Sequence, residues 1–558
     1  MDVASYTREQ FVHLLATSSG ADSEFVSRKS HVDFFNQYLQ TLGVRTILIE
    51  ERYIDKDYLQ DFTGYYVTCF TPYKKETTRL HFFARDFDKN EIECLLSGTS
   101  TATTPVLLQE AYLGFIVVKP LSQTIIGRTC LRTYMADGGR RVFPVLRQYR
   151  VNLYGLSLHI ESVPFQEQDS VAAACATSAL WSCLHSTGKY FHHPILSPTE
   201  ITKSAQASLP TNEVPEARAF PSRGLTATQI ANAIHSVGLE AQILAAQSTH
   251  IIKSSLYAYL RGNIPVLMSI ELRDITYGAD GQLVSNVLKG HHAVSVLGYS
   301  LPRDSEAKIF KKQFTLRASR IDKIYVHDDQ LGPFARMGFC GSELDADPAK
   351  CLMSTVWPEK EIEPPCSDMD SSDEEHQADV QTIKVEAVPQ LMVLPLYKKI
   401  RIPFQYIHDA VMALNDLYNE VRLGFGKFPD LHQLEWDIYM VTVADFKKEI
   451  MATQEYADDT TKALLTPLPK YMWRAKASSN DIPCCDFLFD ATGIEQSPLL
   501  LFGKLHSESM KALLWAMANA IAQPGVIPLG TNNYQVHSIL ACVRKLGSSS
   551  NLLSPSSL

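Results

Sequence analysis

Cysteine is scarce in this chain. Eleven cysteines among 558 residues are too few and too scattered for a disulfide scaffold, and an odd number cannot pair completely. No C-x-x-C pair stands opposite another, so the spacing of a structural zinc site is missing. Long apolar runs are missing too. The most apolar stretches, such as Leu113–Val118 and Leu499–Phe502, fall far short of the ~18 residues a membrane span needs. The first residues, Met1 to Gln10, carry no basic region followed by an apolar stretch, so no secretory signal is expected and a cytoplasmic protein is. Positive charge is in deficit, with 52 Lys and Arg against 61 Asp and Glu. That deficit is local. Eight carboxylates and no Lys or Arg lie between Glu361 and Val380, so the rest of the chain is close to neutral and offers no electrostatic footprint for nucleic acid.

What remains is an ordinary soluble composition, 45% hydrophobic and 20% charged, in a chain long enough for two or three domains. The acidic stretch cannot bury enough apolar surface to order itself and reads as a linker, 359–388. The Ser-rich end, 546–558, reads as a frayed tail. Before the linker, Thr46–Glu50, Gly64–Phe70, Leu80–Ala84 and Leu113–Lys119 are short β-branched or aromatic runs, which predict a β-rich N-terminal domain over 1–150. After it, helical spacing over Phe404–Val421 and Met510–Ala522 and a strand at Trp436–Val443 predict a mixed α/β domain over 389–545. Tyr471, Trp473, Cys484, Cys485 and Asp490 in that domain read as core packing with two buried thiols rather than as a site.

The middle region, 151–358, carries the chemistry. From Cys175 the pattern is helical, with Ala179, Leu180, Cys183 and Leu184 on one face and Gly188 placed to stop the helix. Cys175 therefore falls at a helix N-terminus, where unpaired N–H groups and the macrodipole favour a thiolate. Cys183, on the apolar face, is its buried counterpart. Thr226 and Gln229 form a capping-box start to a helix ending near Gly238. Strands at Glu240–Leu244 and Val266–Ile270 follow, then a polar hairpin near Tyr277–Gly281. Gly290-His291-His292-Ala293-Val294-Ser295-Val296-Leu297-Gly298-Tyr299 puts a histidine at the mouth of a strand leading to a turn. A last strand, Ile324–Val326, delivers His327-Asp328-Asp329-Gln330-Leu331-Gly332. On strands, alternation sends His291 and His292 to opposite faces, and likewise Asp328 and Asp329. One member of each pair can face the cysteine.

The order glutamine, cysteine on a helix, histidine on a strand, acid at a strand end resembles the papain-like cysteine peptidase superfamily over about residues 166–336. His292-Ala293-Val294-Ser295-Val296-Leu297-Gly298-Tyr299 is similar to the stretch around that family's catalytic histidine. The Ile264-Pro265-Val266 strand and the acid four residues before Gly332 are closer to its bacteriocin leader-processing branch. The resemblance implies an α+β fold, in which a papain-like two-lobe core is flanked by the N- and C-terminal domains. In that core a helical lobe carries the nucleophile and a β-sheet lobe carries the base. It also selects the roles. Cys175 would be the nucleophile and His292, rather than His291, its base. Asp328, rather than Asp329, would fix the histidine tautomer, and Gln168 would donate to the oxyanion with the Cys175 backbone N–H. The chain departs from the family in two places. The glutamine usually stands six residues before the cysteine, where this chain has Asp169, with Gln168 seven and Gln166 nine before. Ala174 and Ala176 replace the flanking glycines.

The resemblance thus implies a cysteine peptidase or amide or isopeptide hydrolase working through an acyl-enzyme on a protein or peptide substrate, with no cofactor and no metal. A thiol acyltransferase would use the same acyl-enzyme with an amine in place of water. A catalytically inactive papain-fold scaffold is the third possibility, and reaction of Cys175 with an active-site-directed electrophile separates it from the other two.

Overall fold

The computed structural model describes the chain apart from residues 100–103, 170–173, 208–223, 278–282, 303–306, 311–312, 341–351, 356–381, 426–427, 429, 454–459, 522–533, 546–551 and 554–558. The acidic run 361–380 lies outside the described residues. Helix and sheet are mixed throughout, in keeping with an α+β chain.

Near the N-terminus, strands Asp2–Ser5, Thr46–Tyr53, Thr77–Phe83, Tyr112–Val118 and Ile126–Leu131 form a five-stranded antiparallel sheet in chain order. Three of these coincide with predicted strands, but Gly64–Phe70 does not form one. A helix, Lys56–Gly64, runs into a 3-10 turn at Tyr66–Thr68. The β-prone aromatics there are used for packing instead. Tyr66 turns inward against Tyr58 and Tyr73, and its hydroxyl donates to Asp169, about a hundred residues on. Helices Arg8–Ser19 and Ser30–Thr41 and several shorter ones accompany the sheet, so this unit is mixed rather than β-rich. Nor does it end at 150. Residue 150 falls inside a hairpin, Arg147–Leu153 with Leu156–Ser162, and Arg141–Val142 already pairs with Tyr299 and Ser300 of the central sheet.

The central sheet has eight strands. Val266–Tyr277 pairs antiparallel with Leu283–Ser300 on one side and Thr382–Tyr397 on the other. Through Lys323–Asp328, Gly332–Cys340 and Leu352–Thr355 the path returns to Thr382–Tyr397. Those six strands thereby close on themselves, while Leu239–Ala245, paired with Thr382–Tyr397, and Arg141–Val142, paired with Leu283–Ser300, lie outside the closed path. This corrects the linker boundary. Residues 382–388 are strand, and Thr382–Tyr397 belongs to the central unit, although it follows the acidic run. The pairing partner lies over a hundred residues away, which no local pattern can reveal.

The third sheet has seven strands. It begins with Ile309–Phe310 and Phe314–Leu316, whose second strand runs parallel to Glu435–Thr442. Helices Phe404–Phe425 and Glu508–Ile521 match the predicted helical spacing. Trp473, Cys484 and Cys485 are buried, and Trp473 Nε1 donates to the Ile402 carbonyl, as core packing requires. In the tail, Leu552 and Leu553 are buried and pair with Lys504 and Gly503. That part is sheet rather than fray.

Candidate active site

The nucleophile helix runs Cys175–Phe191. Every side chain from Ala176 to Thr187 is buried, which makes it an interior helix rather than a one-faced surface one. Ala174 precedes it in extended geometry and provides no side-chain cap, so no capping oxygen competes for the N–H groups of its first turn. Cys175 holds that first position, partly exposed as a free thiol. Gly188 does not end the helix as predicted; His192 does, at φ 61°. Gly188 is needed for a close approach, since a Cβ there would lie 2.5 Å from Ile195. Cys183 is fully buried, and burial pushes its thiol far up, so it is not a nucleophile.

His292 lies within the strand Leu283–Ser300, opposite Ile270, and the strand continues through Gly298 where a turn was predicted. The neighbouring strand Lys323–Asp328 pairs Ser295 with His327 and so delivers Asp328 to the same end as His292. His292 Nε2 is 3.0 Å from Asp328 Oδ1. The Cys175 thiol is in hydrogen-bonding contact with the same imidazole. The three expected groups are thereby brought together, with the carboxylate on Nε2. His291, its neighbour, is exposed rather than buried.

Burial disfavours the imidazolium, but Asp328, the thiol and Asp329 outweigh it and hold the His292 pKa well above the ordinary histidine value. Burial likewise penalises the Asp328 carboxylate, yet the His292 charge, its hydrogen bond and the Gln330 N–H hold it below its usual range. Both shifts favour a charged pair.

Asp329 departs from expectation. Its Oδ1 is 3.5 Å from His292 Nε2, so both carboxylates face the histidine. Alternation fails because the strand has ended: Leu331 N–H donates to the Asp328 carbonyl at 3.0 Å, closing a turn, and the pairing with the next strand is irregular between Val326 and Asp328. His292, Asp328 and Asp329 are the group among the described residues whose ligand atoms, within 4.8 Å of one another, could hold a metal ion. The same imidazole also has the Cys175 thiol beside it.

Beside Cys175 opens a cleft of about 830 Å³, whose lining includes Lys29, His31, Gln168, His291 and Asp329. Gln168 thus lies in the cleft with the thiol. Gln166 is buried, and Asp169, six before the cysteine, accepts from Tyr66 and has no proton to offer an oxyanion when ionised.

Sequence reasoning missed the N-terminal wall. His31 Nε2 donates to the Asp329 carbonyl at 2.7 Å, and Ser30 Oγ to the Gln330 carbonyl at 3.1 Å. Lys29 pairs with Glu167 at 2.6 Å, and Glu167 also accepts from the Ile125 and Ile126 N–H groups. Nothing in the local sequence around His31 marks it. The only available signal was Glu167 beside Gln168, a charge in a segment already assigned to the site. No family model, curated protein or solved structure matches this chain.

Proposed function

We propose that this protein is a papain-like cysteine hydrolase, a peptidase or isopeptidase acting on a protein or peptide. The observation that carries the reading is the line from Cys175 through His292 to Asp328, with the nucleophile at the start of an interior helix and the base and acid on a closed sheet packed against it. Cys175, as thiolate, attacks the carbonyl carbon of the amide, and the oxyanion accepts from the Cys175 N–H and Gln168. The amide C–N bond then breaks as His292 Nδ1 gives its proton to the leaving amine. Water, deprotonated by His292, hydrolyses the thioester. Asp328 keeps the Nε2 proton in place throughout, so that Nδ1 does the transferring. The free thiols, such as Cys69, Cys94 and Cys130, fit a cytoplasmic, reducing compartment.

Alkylation by iodoacetamide at neutral pH, followed by peptide mass mapping, tests the reading. Cys175 reacts fastest, and Cys175→Ala abolishes both that labelling and any hydrolysis while leaving the melting temperature close to the parent's. Cys183→Ala retains both activities. Equal activity in the two variants would remove Cys175 as nucleophile.

A further inference from the structure

Asp329 is an anomaly in the site. Its side chain is 4% exposed, and neither carboxylate oxygen has a hydrogen-bond partner among the described residues. A buried polar group left in that condition is costly. The turn does not need it: Asp328 Oδ1 holds the Gln330 N–H, and His31 grips the Asp329 carbonyl rather than its carboxylate. What the carboxylate does face is His292 Nε2, at 3.5 Å against 3.0 Å for Asp328.

We propose that Asp329 is a positioning residue whose carboxyl, facing His292 Nε2 beside that of Asp328, sets how readily the imidazolium gives up its Nδ1 proton. The inference rests on Cys175 and His292 acting as nucleophile and base.

The groups around Asp329 fix the sign. From the base strand comes His292, from the end of the acid strand Asp328, and from the segment before the nucleophile Glu167, which is itself paired with Lys29. From the N-terminal helix comes His31, engaged with the main chain. Burial pushes the Asp329 carboxyl up, His292 pulls it down, and Asp328 and Glu167 push it up again, to about 7. At mildly acid pH Asp329 is a neutral acid, and His292 feels one carboxylate. Above neutrality it becomes a second negative charge behind the imidazolium. The imidazolium is then held more firmly, and proton delivery to the leaving amine becomes harder. The Asp329 proton is not consumed in the cycle: thiol, amine and water account for every proton moved.

The test reads Cys175 itself and needs no substrate. Its iodoacetamide rate, followed by mass spectrometry from about pH 5 to about pH 9, shows an inflection near neutrality in the parent, superimposed on the ion-pair limb. Asp329→Asn keeps the shape, cannot ionise, and removes that inflection, whereas a merely structural role would scale the rate at every pH without moving the curve. Superimposable profiles overturn the proposal. The infrared spectrum of the unmodified protein supplies an independent check: the parent-minus-Asp329→Asn difference shows a protonated-carboxyl carbonyl band that bleaches as the pH passes neutrality, the buried Asp61 carboxyl, which also titrates at about 7, being common to both proteins and cancelling. A difference with no such band also overturns it. If instead Cys175 alkylates like an ordinary thiol and His292→Ala changes nothing, the hydrolase reading itself fails; a parent-minus-Asp329→Asn band that still bleaches near neutrality would then locate the fault in the nucleophile and base, not in the Asp329 carboxyl.

Discussion

Replacing Asp328 by asparagine removes one charge from the proposed triad and little else. The Asn oxygen can still accept the Nε2–H, so the tautomer and ring position survive. What is lost is Coulomb attraction. Two unit charges 3.0 Å apart attract by about 5 kcal/mol at an effective dielectric constant of about 20. Part of this is retained through the hydrogen bond to the Asn oxygen. A net loss of about 2–3 kcal/mol, or about 30- to 150-fold in the population of the thiolate–imidazolium pair, is the expectation. The sign follows from the raised His292 pKa: the parent keeps its imidazolium at pH values where an ordinary histidine is already neutral. The assay is the second-order rate of Cys175 alkylation across pH. Near pH 6 the Asp328→Asn rate falls by the stated factor. Near pH 9, where a thiol ionises unaided, the two proteins converge. A uniform slowing at all pH values would mean that Asp328 shapes the cleft without charging it. An unchanged profile would refute the triad.

Asp61, buried and accepting from Thr199 N and Oγ1 at 3.1 and 2.6 Å, has its carboxyl pushed by burial to about 7. Because the folded state binds this proton more tightly than the unfolded state does, stability is lost as pH rises from about 4 through 7. Asp61→Asn keeps the acceptor. Thermal unfolding should therefore show a smaller drop in melting temperature between about pH 5.5 and about pH 8 in this variant, and equal drops would contradict the burial argument. Dialysis against EDTA leaves Cys175 alkylation unchanged; a change reversed by Zn²⁺ would reassign His292, Asp328 and Asp329 to metal ligation.

The parts of this fold that were legible in the sequence are those specified locally. The capping box at Thr226 and Gln229 forms as predicted, and the helix beginning at Cys175 and the strands ending in His327-Asp328 lie where period and punctuation put them. Features decided by distant partners were not legible. Tyr65 and Tyr66 look like strand residues until Tyr66 finds Asp169 and the Tyr58–Tyr73 cluster. Thr382–Val388 looks like the end of a linker until it meets Val266–Tyr277. Gly188 reads as a stop signal but is a contact glycine: a Cβ there would fall 2.5 Å from Ile195. Here a packing demand imitates turn chemistry. Asp329 was misplaced by extending strand alternation one residue past the point where the turn begins.

The same distinction bears on the N-terminal unit, which the sequence presents as a separate domain without chemistry. Its helix Ser30–Thr41 holds the acid turn at three points: His31 on the Asp329 carbonyl, Ser30 on the Gln330 carbonyl, and Phe34 against Gly332, where a Cβ would sit 2.3 Å from the ring. Lys29, just before that helix, reaches Glu167 two residues beyond the hairpin-to-cleft segment that begins at Phe165, and Tyr66 holds Asp169. The residues on either side of Gln168 are therefore tied to the N-terminal unit. A hydrogen-bonded charge pair such as His292 and Asp328 is useful only if both ends stay fixed to within a few tenths of an ångström. Here the base is fixed by the closed sheet, while the acid turn and the segment leading to the nucleophile are fixed by the first seventy residues. The chain lacks the flanking glycines that would let the backbone adapt around Cys175, so the geometry has to be imposed from outside the core. The N-terminal unit is, on this reasoning, part of the framework of the proposed active site and one wall of its cleft.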